Sequence, residues 1–149
     1  MTASVSPLLE QDRDDWETLY CAYAHFYNMP MDDEILDTIW SWIFDGEQAF
    51  YCLLAKNEQG KGIGFMHYRA MPSPIRGQMV GFLDDLFVQP ECRGSGVVDL
   101  LFDTLHDSAK DKGWPFIRWI TADNNYRGRA VYDKLAEKTQ WQTYQMTVE

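Results

Sequence analysis

The sequence predicts a mixed α/β or α+β fold, a sheet with helices packed on it. Two observations lead there. Apolar residues recur at steps of three and four in segments bounded by polar caps and glycines, the helical pattern. Between them stand short apolar runs bounded by turn residues, the strand pattern. In order, the segments read βααβββαβαβ.

Val5 to Leu9 is a short apolar strand. Arg13 to Tyr27 is helical, with Trp16, Leu19, Tyr20, Tyr23 and Tyr27 at helical steps, and Pro30 punctuates the chain after it. A second helix is expected from Asp32 to Phe44, with Ile35, Ile39, Trp42 and Ile43 on one face and Asp45-Gly46 at its end. AFYCLLAK (49–56) is a strand. Asn57-Glu58-Gln59-Gly60 turns the chain, and Gly62 to Arg69 returns as its hairpin partner. Pro72-Ser73-Pro74 is expected to break the chain before Val80 to Val88, VGFLDDLFV, a third long strand. A helix from about Gly96 to Lys112 follows, closed by Gly113 and Pro115. FIRWIT (116–121) is a strand, Asn125 to Lys138 a helix, and Trp141 to Val148 a terminal strand. Asp99, Asp103, Asp107 and Asp111 recur at every fourth position of the 96–112 helix. Like charges at that spacing cost roughly 0.2–0.5 kcal/mol per pair. The stripe should therefore face solvent, opposite Val98, Leu101, Leu105 and Ala109.

The length of 149 residues suits a single domain, 1–149, with no repeat or linker. A net charge of −10 argues against nucleic acid as the main ligand, because phosphate binding needs a basic surface. A cationic ligand such as an amine would be attracted, although acidity also serves solubility alone. No apolar run approaches the roughly 20 residues that span a bilayer. The first residues lack the basic and apolar regions of a signal peptide. Cys21, Cys52 and Cys92 lie far apart, which argues against a disulfide framework and a zinc site. A cytoplasmic protein without a metal is the expectation.

The stretch QPECRGSGVVDLLF joins a strand to a helix through Arg93-Gly94-Ser95-Gly96. The first N–H groups of a helix have no intrahelical partner and can hold an anion. Gly94 and Gly96 leave room for a close approach, and Arg93 adds positive charge. A plain turn that needs glycine for its dihedrals explains the same residues. Neither the P-loop pattern nor the dinucleotide glycine pattern is present.

Arg93-Gly94-Ser95-Gly96-Val97-Val98 resembles the acyl-CoA signature of the GCN5-related N-acetyltransferase (GNAT) family, Arg/Gln-x-x-Gly-x-Gly/Ala. Val98 departs from it at the last position. Asn125, with Tyr132 seven residues later, also resembles a pair that this family carries on a helix after the next strand. The wording YDKLAEKT is similar to a branch acting on small amines and amino acids or histone tails. The resemblance implies a mostly antiparallel mixed sheet flanked by helices, with two central parallel strands splayed apart. It implies that acetyl-CoA is the co-substrate. The pantetheine arm would meet the backbone of Leu86, Phe87 and Val88, and Asn125. The pyrophosphate would sit on the amides of Arg93, Gly94, Ser95, Gly96, Val97 and Val98. Because amides bind regardless of side chain, Val98 need not abolish binding.

Acetylating an amine needs a base, because an alkylamine of pKa about 10.4 arrives protonated, and an acid for the departing thiolate. Asp84 and Asp85 interrupt an apolar strand, where a carboxylate is costly unless paired, hydrogen-bonded or reached by solvent. Alternation would send them to opposite faces. Each is either a structural aspartate or a functional one. The resemblance puts Asp84 first as base and Asp85 second. It makes Tyr132 the acid, where periodicity alone would read a core tyrosine beside Val131 and Leu135. Asn125 is also a good N-cap. His67 lies beside the proposed site, and a surface or core role competes with substrate contact. The resemblance lets the first two helices overhang the acceptor, with Tyr27, Asn28, Met29 and Asp33 as substrate-side residues. The expected function is N-acetylation of a small primary amine by direct attack in a ternary complex. A protein lysine or N-terminus as acceptor, and a non-catalytic acyl-CoA-binding module, are the alternatives. The resemblance implies a homodimer, with TYQMTV (143–148) as the candidate contact.

Overall fold

A meander of antiparallel strands forms the frame, and one parallel strand completes it. The computed structural model describes residues 2–149. The chain forms two units, one up to Trp119 and the other Ile120–Glu149. In the first, β1 (Ser4–Pro7), β2 (Phe50–Lys56), β3 (Gly62–Ser73), β4 (Gln78–Val88) and β5 (Ile117–Arg118) lie side by side in that order. All neighbours are antiparallel except β4 and β5. The helices are α1 (Arg13–Phe26), α2 (Asp33–Phe44) and α3 (Val97–Lys112). The mixed, mostly antiparallel sheet expected from the sequence is thus the observed one.

Each helix begins and ends where local chemistry directs. Asp32 caps α2 by accepting from Ile35 N–H at 2.9 Å. Gly113 ends α3 in the left-handed region at φ 77°, and its N–H turns back to the last carbonyls. Asp99, Asp103, Asp107 and Asp111 are all exposed, while Leu101, Leu105 and Ala109 are buried. The acidic stripe therefore faces solvent, as its repulsion requires.

The sheet's pleat divides the core. Leu54, Phe65 and Phe87 point to the face shared with Trp16, Leu19 and Leu36 of α1 and α2. Leu53, Met66 and Tyr68 alternate to the opposite face. There Trp114, just after α3, packs against Tyr51 and Tyr68 with ring centroids 6.2 and 6.1 Å away. Fully burying a side chain such as Leu19 or Phe65 contributes about 1.5–3 kcal/mol. Asp15 accepts from Gly62 N–H at 2.8 Å and ties α1 to the start of β3.

Several boundaries differ from the sequence reading. Pro72-Ser73-Pro74 does not break the chain before Ser73, for β3 runs on and Pro72 pairs with Met79. β2 ends its pairing at Arg69, so β3 has a free edge beyond it, where proline removes no needed donor. The strand expected over 116–121 shrinks to two residues, which pair with Gly81 and Phe82. In the second unit, α4 is shorter than expected, Tyr126–Leu135. The terminal strand is not formed. Trp141, Tyr144, Met146 and Val148 lie in non-strand chain and are exposed. The apolar alternation is there, but a strand also needs a ladder partner.

Gly81 makes the parallel joint possible. Its N–H donates to Phe116 O at 3.0 Å. A Cβ there would lie 2.7 Å from the Trp114 ring and 3.0 Å from Ile117. Gly81→Ala should therefore lower stability by about 1–3 kcal/mol through overpacking, read as a lower urea midpoint. An unchanged midpoint would show that the joint is looser than this geometry.

Candidate active site

One extra residue in β4 builds the candidate site. His67 of β3 pairs with Asp85, and the next residue, Tyr68, pairs with Leu83. Asp84 is the unpaired residue of a β-bulge. The expectation that Asp84 and Asp85 face opposite ways is therefore corrected. Arg69 and His67, two apart on β3, share a face, and they meet Asp84 and Asp85 respectively. The bulge brings both carboxylates to the side covered by α1 and α2.

Asp84 accepts an ion pair from Arg69 Nε at 3.2 Å, and its side chain keeps 26% exposure. Both residues line a cleft of about 390 Å³ with Trp42, Gln48, Ala49, Phe50 and Ala70. That volume suits a small-molecule site, typically ~300–1,000 Å³. Burial raises the Asp84 carboxyl above its ordinary value. Arg69 opposes this, and the charge of Asp85 adds to it. The result is a carboxylate more basic than a free one, open to the cleft.

Asp85 has the opposite situation. Burial pushes its carboxyl up, but hydrogen bonds from His67, Tyr23 and Tyr20 outweigh this and hold it below the ordinary value. Its Oδ2 lies 2.8 Å from His67 Nδ1 and 3.3 Å from the Tyr20 hydroxyl. Tyr20 and Tyr23 are themselves pushed up, first by burial and then by the charge of Asp85.

His67 is fully buried, and both ring nitrogens are engaged. Trp16 Nε1–H donates to Nε2 at 2.9 Å. An indole N–H is only a donor, so Nε2 must accept and the ring proton sits on Nδ1, facing Asp85. The substrate-contact expectation for His67 is thus corrected. It is a buried link from Trp16 to Asp85. Tyr27 and Asp33 are exposed, and neither lines the cleft.

Beyond Phe82, β4 has no β5 partner, so Leu86, Phe87 and Val88 run along an edge that the ladder leaves open. The glycine turn follows. Gly94 and Gly96 have φ of 80° and 91°, and a Cβ at either would meet nothing within 4 Å. The glycines are thus required by backbone conformation and leave open space at the start of α3. The first intrahelical bond is Leu100 N–H to Gly96 O, so the amides of Val97, Val98 and Asp99 precede it.

Ser95 Oγ turns inward to Cys92 O. Arg93 also turns inward. Its Nε donates to Val88 O at 3.1 Å, and its guanidinium lies over Phe26 and Phe87. The charge expected at the turn is partly spent on fastening β4 to α1.

In the second unit, Asn125 caps α4. Its Oδ1 accepts from Gly128 N–H at 3.2 Å and its Nδ2 donates to Thr121 Oγ1 at 2.9 Å. A Cβ on Gly128 would lie 2.4 Å from that amide, so glycine is needed to admit the cap. Tyr132 is half-buried two turns along the helix. Among the described residues, no group of three or more His, Cys, Asp or Glu is placed to hold a metal.

The sequence singled out Asp84 and the glycine turn but not Arg69, Trp42, Gln48 or Phe50. The only signal for Arg69 was its place two residues after His67, on the same strand face.

A bulged strand with an open edge, leading into a glycine turn at a helix N-terminus, defines a class of acyl-CoA-dependent transferases. The chain belongs to the acetyltransferase (GNAT) family, whose model matches residues 12–136. It is an acetyl-CoA-dependent acyltransferase. It is 29% identical over 136 residues to the D-amino-acid N-acetyltransferase HPA3 of Saccharomyces cerevisiae, covering 91% of this chain and 84% of that one. It is 31% identical over 98 residues to the thialysine N-epsilon-acetyltransferase of Bos taurus, covering 60% of this chain and 57% of the other. Its fold matches that of AAC(6')-Iy, solved in complex with a CoA-S-monomethyl-acetylneamine bisubstrate analogue. The TM-score is 0.86 at 17% identity, covering 100% of this chain and 99% of that one.

The buried link is directly testable. Asp85→Asn removes the anion facing His67 Nδ1–H and should cost about 1–3 kcal/mol at neutral pH. In wild type, ionised Asp85 stabilises the fold above its ordinary value of 3.8, and this is lost as pH falls from there through the lower folded value. Urea titrations below about pH 4 should show a shallower acid loss in the variant. An identical slope would remove Asp85 from the stability account.

Proposed function

We propose that the protein is an N-acetyltransferase for a primary amine on a small molecule, with Asp84 as the base. The observation that carries this is Asp84 itself. It is a carboxylate made more basic by burial, on a bulge, in a small cleft, and one strand end away from the glycine turn. The two named relatives acetylate amino-acid amines, which supports a small-amine acceptor.

In this reading, the ammonium of the acceptor enters the cleft and gives a proton to Asp84, directly or through water. The free amine attacks the thioester carbonyl carbon, the C–N bond forms and the C–S bond breaks. The nitrogen gives its second proton to water and the departing sulfur gains one from the Tyr132 phenol, so the products are the amide and the free thiol, and Asp84 releases its proton to water. Tyr132 then regains a proton from water. Holding both substrates together makes a covalent enzyme intermediate unnecessary. Asp85, occupied by His67 and Tyr20, serves to hold its neighbour's charge environment rather than to take the proton.

The open edge of Leu86, Phe87 and Val88 suits an amide-bearing arm that needs backbone partners. The amides from Gly94 to Val98 suit its pyrophosphate, and the conformation of the glycines leaves that approach unobstructed. Asn125 would meet the arm with the capacity that its cap leaves over. We read 1–149 as one catalytic domain and the protein as cytoplasmic; among the described residues no helix is long and apolar enough to cross a membrane. A homodimer is supported by the exposed apolar alternation of Tyr144, Met146 and Val148, a segment outside the sheet that a second copy can cover.

Mixing protein, acetyl-CoA and an amine panel should release free thiol. Asp84→Asn should lower kcat/KM by roughly 10²–10⁴-fold while the fold persists. In wild type the acid limb of the rate profile should lie above 3.8, the ordinary carboxyl value, because Asp84 is raised. If Asp84→Asn keeps full activity, the base is elsewhere.

Tyr132→Phe should lower kcat by about 10²-fold and leave the acetyl-CoA dissociation constant nearly unchanged. A variant as active as wild type at every pH measured would remove Tyr132 as the acid.

A further inference from the structure

The cleft holds two opposite charges, not one. Asp84 uses Oδ2 on Arg69 Nε, and both residues face the cleft. Arg69 keeps 46% side-chain exposure, and it meets Asp84 through Nε. Its guanidinium lies over Phe82, with Cζ 4.9 Å from the ring centroid. Gln48 also lines the cleft.

We propose that the acceptor is an α-amino acid with an apolar side chain, its carboxylate bound by Arg69 and its ammonium by Asp84. This rests on the reading of Asp84 as the group that meets the amine. The argument is one of charge balance. A simple amine gains from Asp84 and is repelled by the guanidinium 3.2 Å away from it. A polyamine brings more positive charge to the same guanidinium. The protein's net charge of −10 attracts every cation, so it does not distinguish among them. An α-amino acid alone places a carboxylate and an ammonium on one carbon. It can lie alongside the Arg69–Asp84 pair with each charge opposite its complement. Arg is suited to this, because its remaining N–H groups form a planar fork for a carboxylate.

The rest of the wall specifies the side chain. Trp42 and Phe50 meet edge to face at 5.8 Å, and Trp42 retains 39% exposure. Ala49 and Ala70 are small and leave the volume open. Among the described residues, no second cation and no second anion lines the cleft, so a basic side chain finds no added repulsion but also no added partner beyond Asp84. An apolar or aromatic side chain gains contact area there.

The test compares phenylalanine, in both enantiomers, with phenethylamine, which lacks only the carboxylate. Initial rates of thiol release and calorimetric titration in the presence of CoA are measured for wild type and Arg69→Gln. Wild type should favour phenylalanine of at least one hand over phenethylamine by tenfold or more, in kcat/KM and in dissociation constant. Arg69→Gln should bring that ratio to within about threefold of one. The ratio is used because any effect of Arg69 on Asp84 is common to both acceptors. A wild-type ratio near one, or a ratio that Arg69→Gln leaves unchanged, overturns the proposal. Selective binding of phenylalanine that depends on Arg69, without thiol release from any acceptor, supports the site and sinks the transfer reading instead. Thiol release from phenethylamine at the rate of phenylalanine does the reverse.

Discussion

Everything about the candidate site depends on a single unpaired residue. Where β3 passes from His67 to Tyr68, β4 passes from Asp85 to Leu83, and Asp84 is left over. A β-strand alternates its side chains, so two adjacent carboxylates would normally be divided between a helix-covered face and its opposite. The bulge cancels that alternation locally. It puts both acids on one face and gives each a different β3 partner. The same insertion therefore sets the spacing of the charges, while the edge beside them is open because β5 stops at Arg118.

The two aspartates are chemically alike and are made different by their partners. Asp85 faces donors whose protons are already placed. The Trp16 indole fixes the ring proton of His67 on Nδ1, and two tyrosines add hydroxyls. Asp84 faces a cation, a cavity and its own charged neighbour. Burial acts on both in the same direction, so the contrast comes from hydrogen bonding. At the glycine turn the division of labour is similar. Arg93 and Ser95 spend their side chains holding the turn in place, and the outward face is left to backbone amides.

Much of the fold was legible because its signals are local. The periodicity of Trp16, Leu19 and Tyr23, the cap at Asp32, and the acidic repeat of α3 each fix an element without reference to the rest of the chain. The antiparallel meander was legible from its turns. What escaped was pairwise. A bulge at Asp84 has no compositional mark, since any residue can be the extra one. Arg69 reads as an ordinary strand residue until register places it beside Asp84. Pro72 reads as a break unless one knows that β2 begins only at Phe50, opposite Arg69. Trp141 to Val148 carries the alternation of a strand, but alternation does not supply a partner. His67 looked available because nothing in its neighbours foretells Trp16 and Asp85 closing on both of its nitrogens.

The parallel contact between β4 and β5 is only two residue pairs long, and it has a consequence for the order in which the fold is made. Every antiparallel pairing, and the whole of α3, lies in the chain before Gly113. These contacts are mostly between neighbouring segments, where the loops to be closed are short. As the chain leaves the ribosome, the meander can consolidate before β5 has been synthesised. The late strand then adds to a finished template whose slot, at Gly81, is already shaped. A join that is short and comes last costs little to make, and it leaves most of the length of β4 unclaimed in the mature protein.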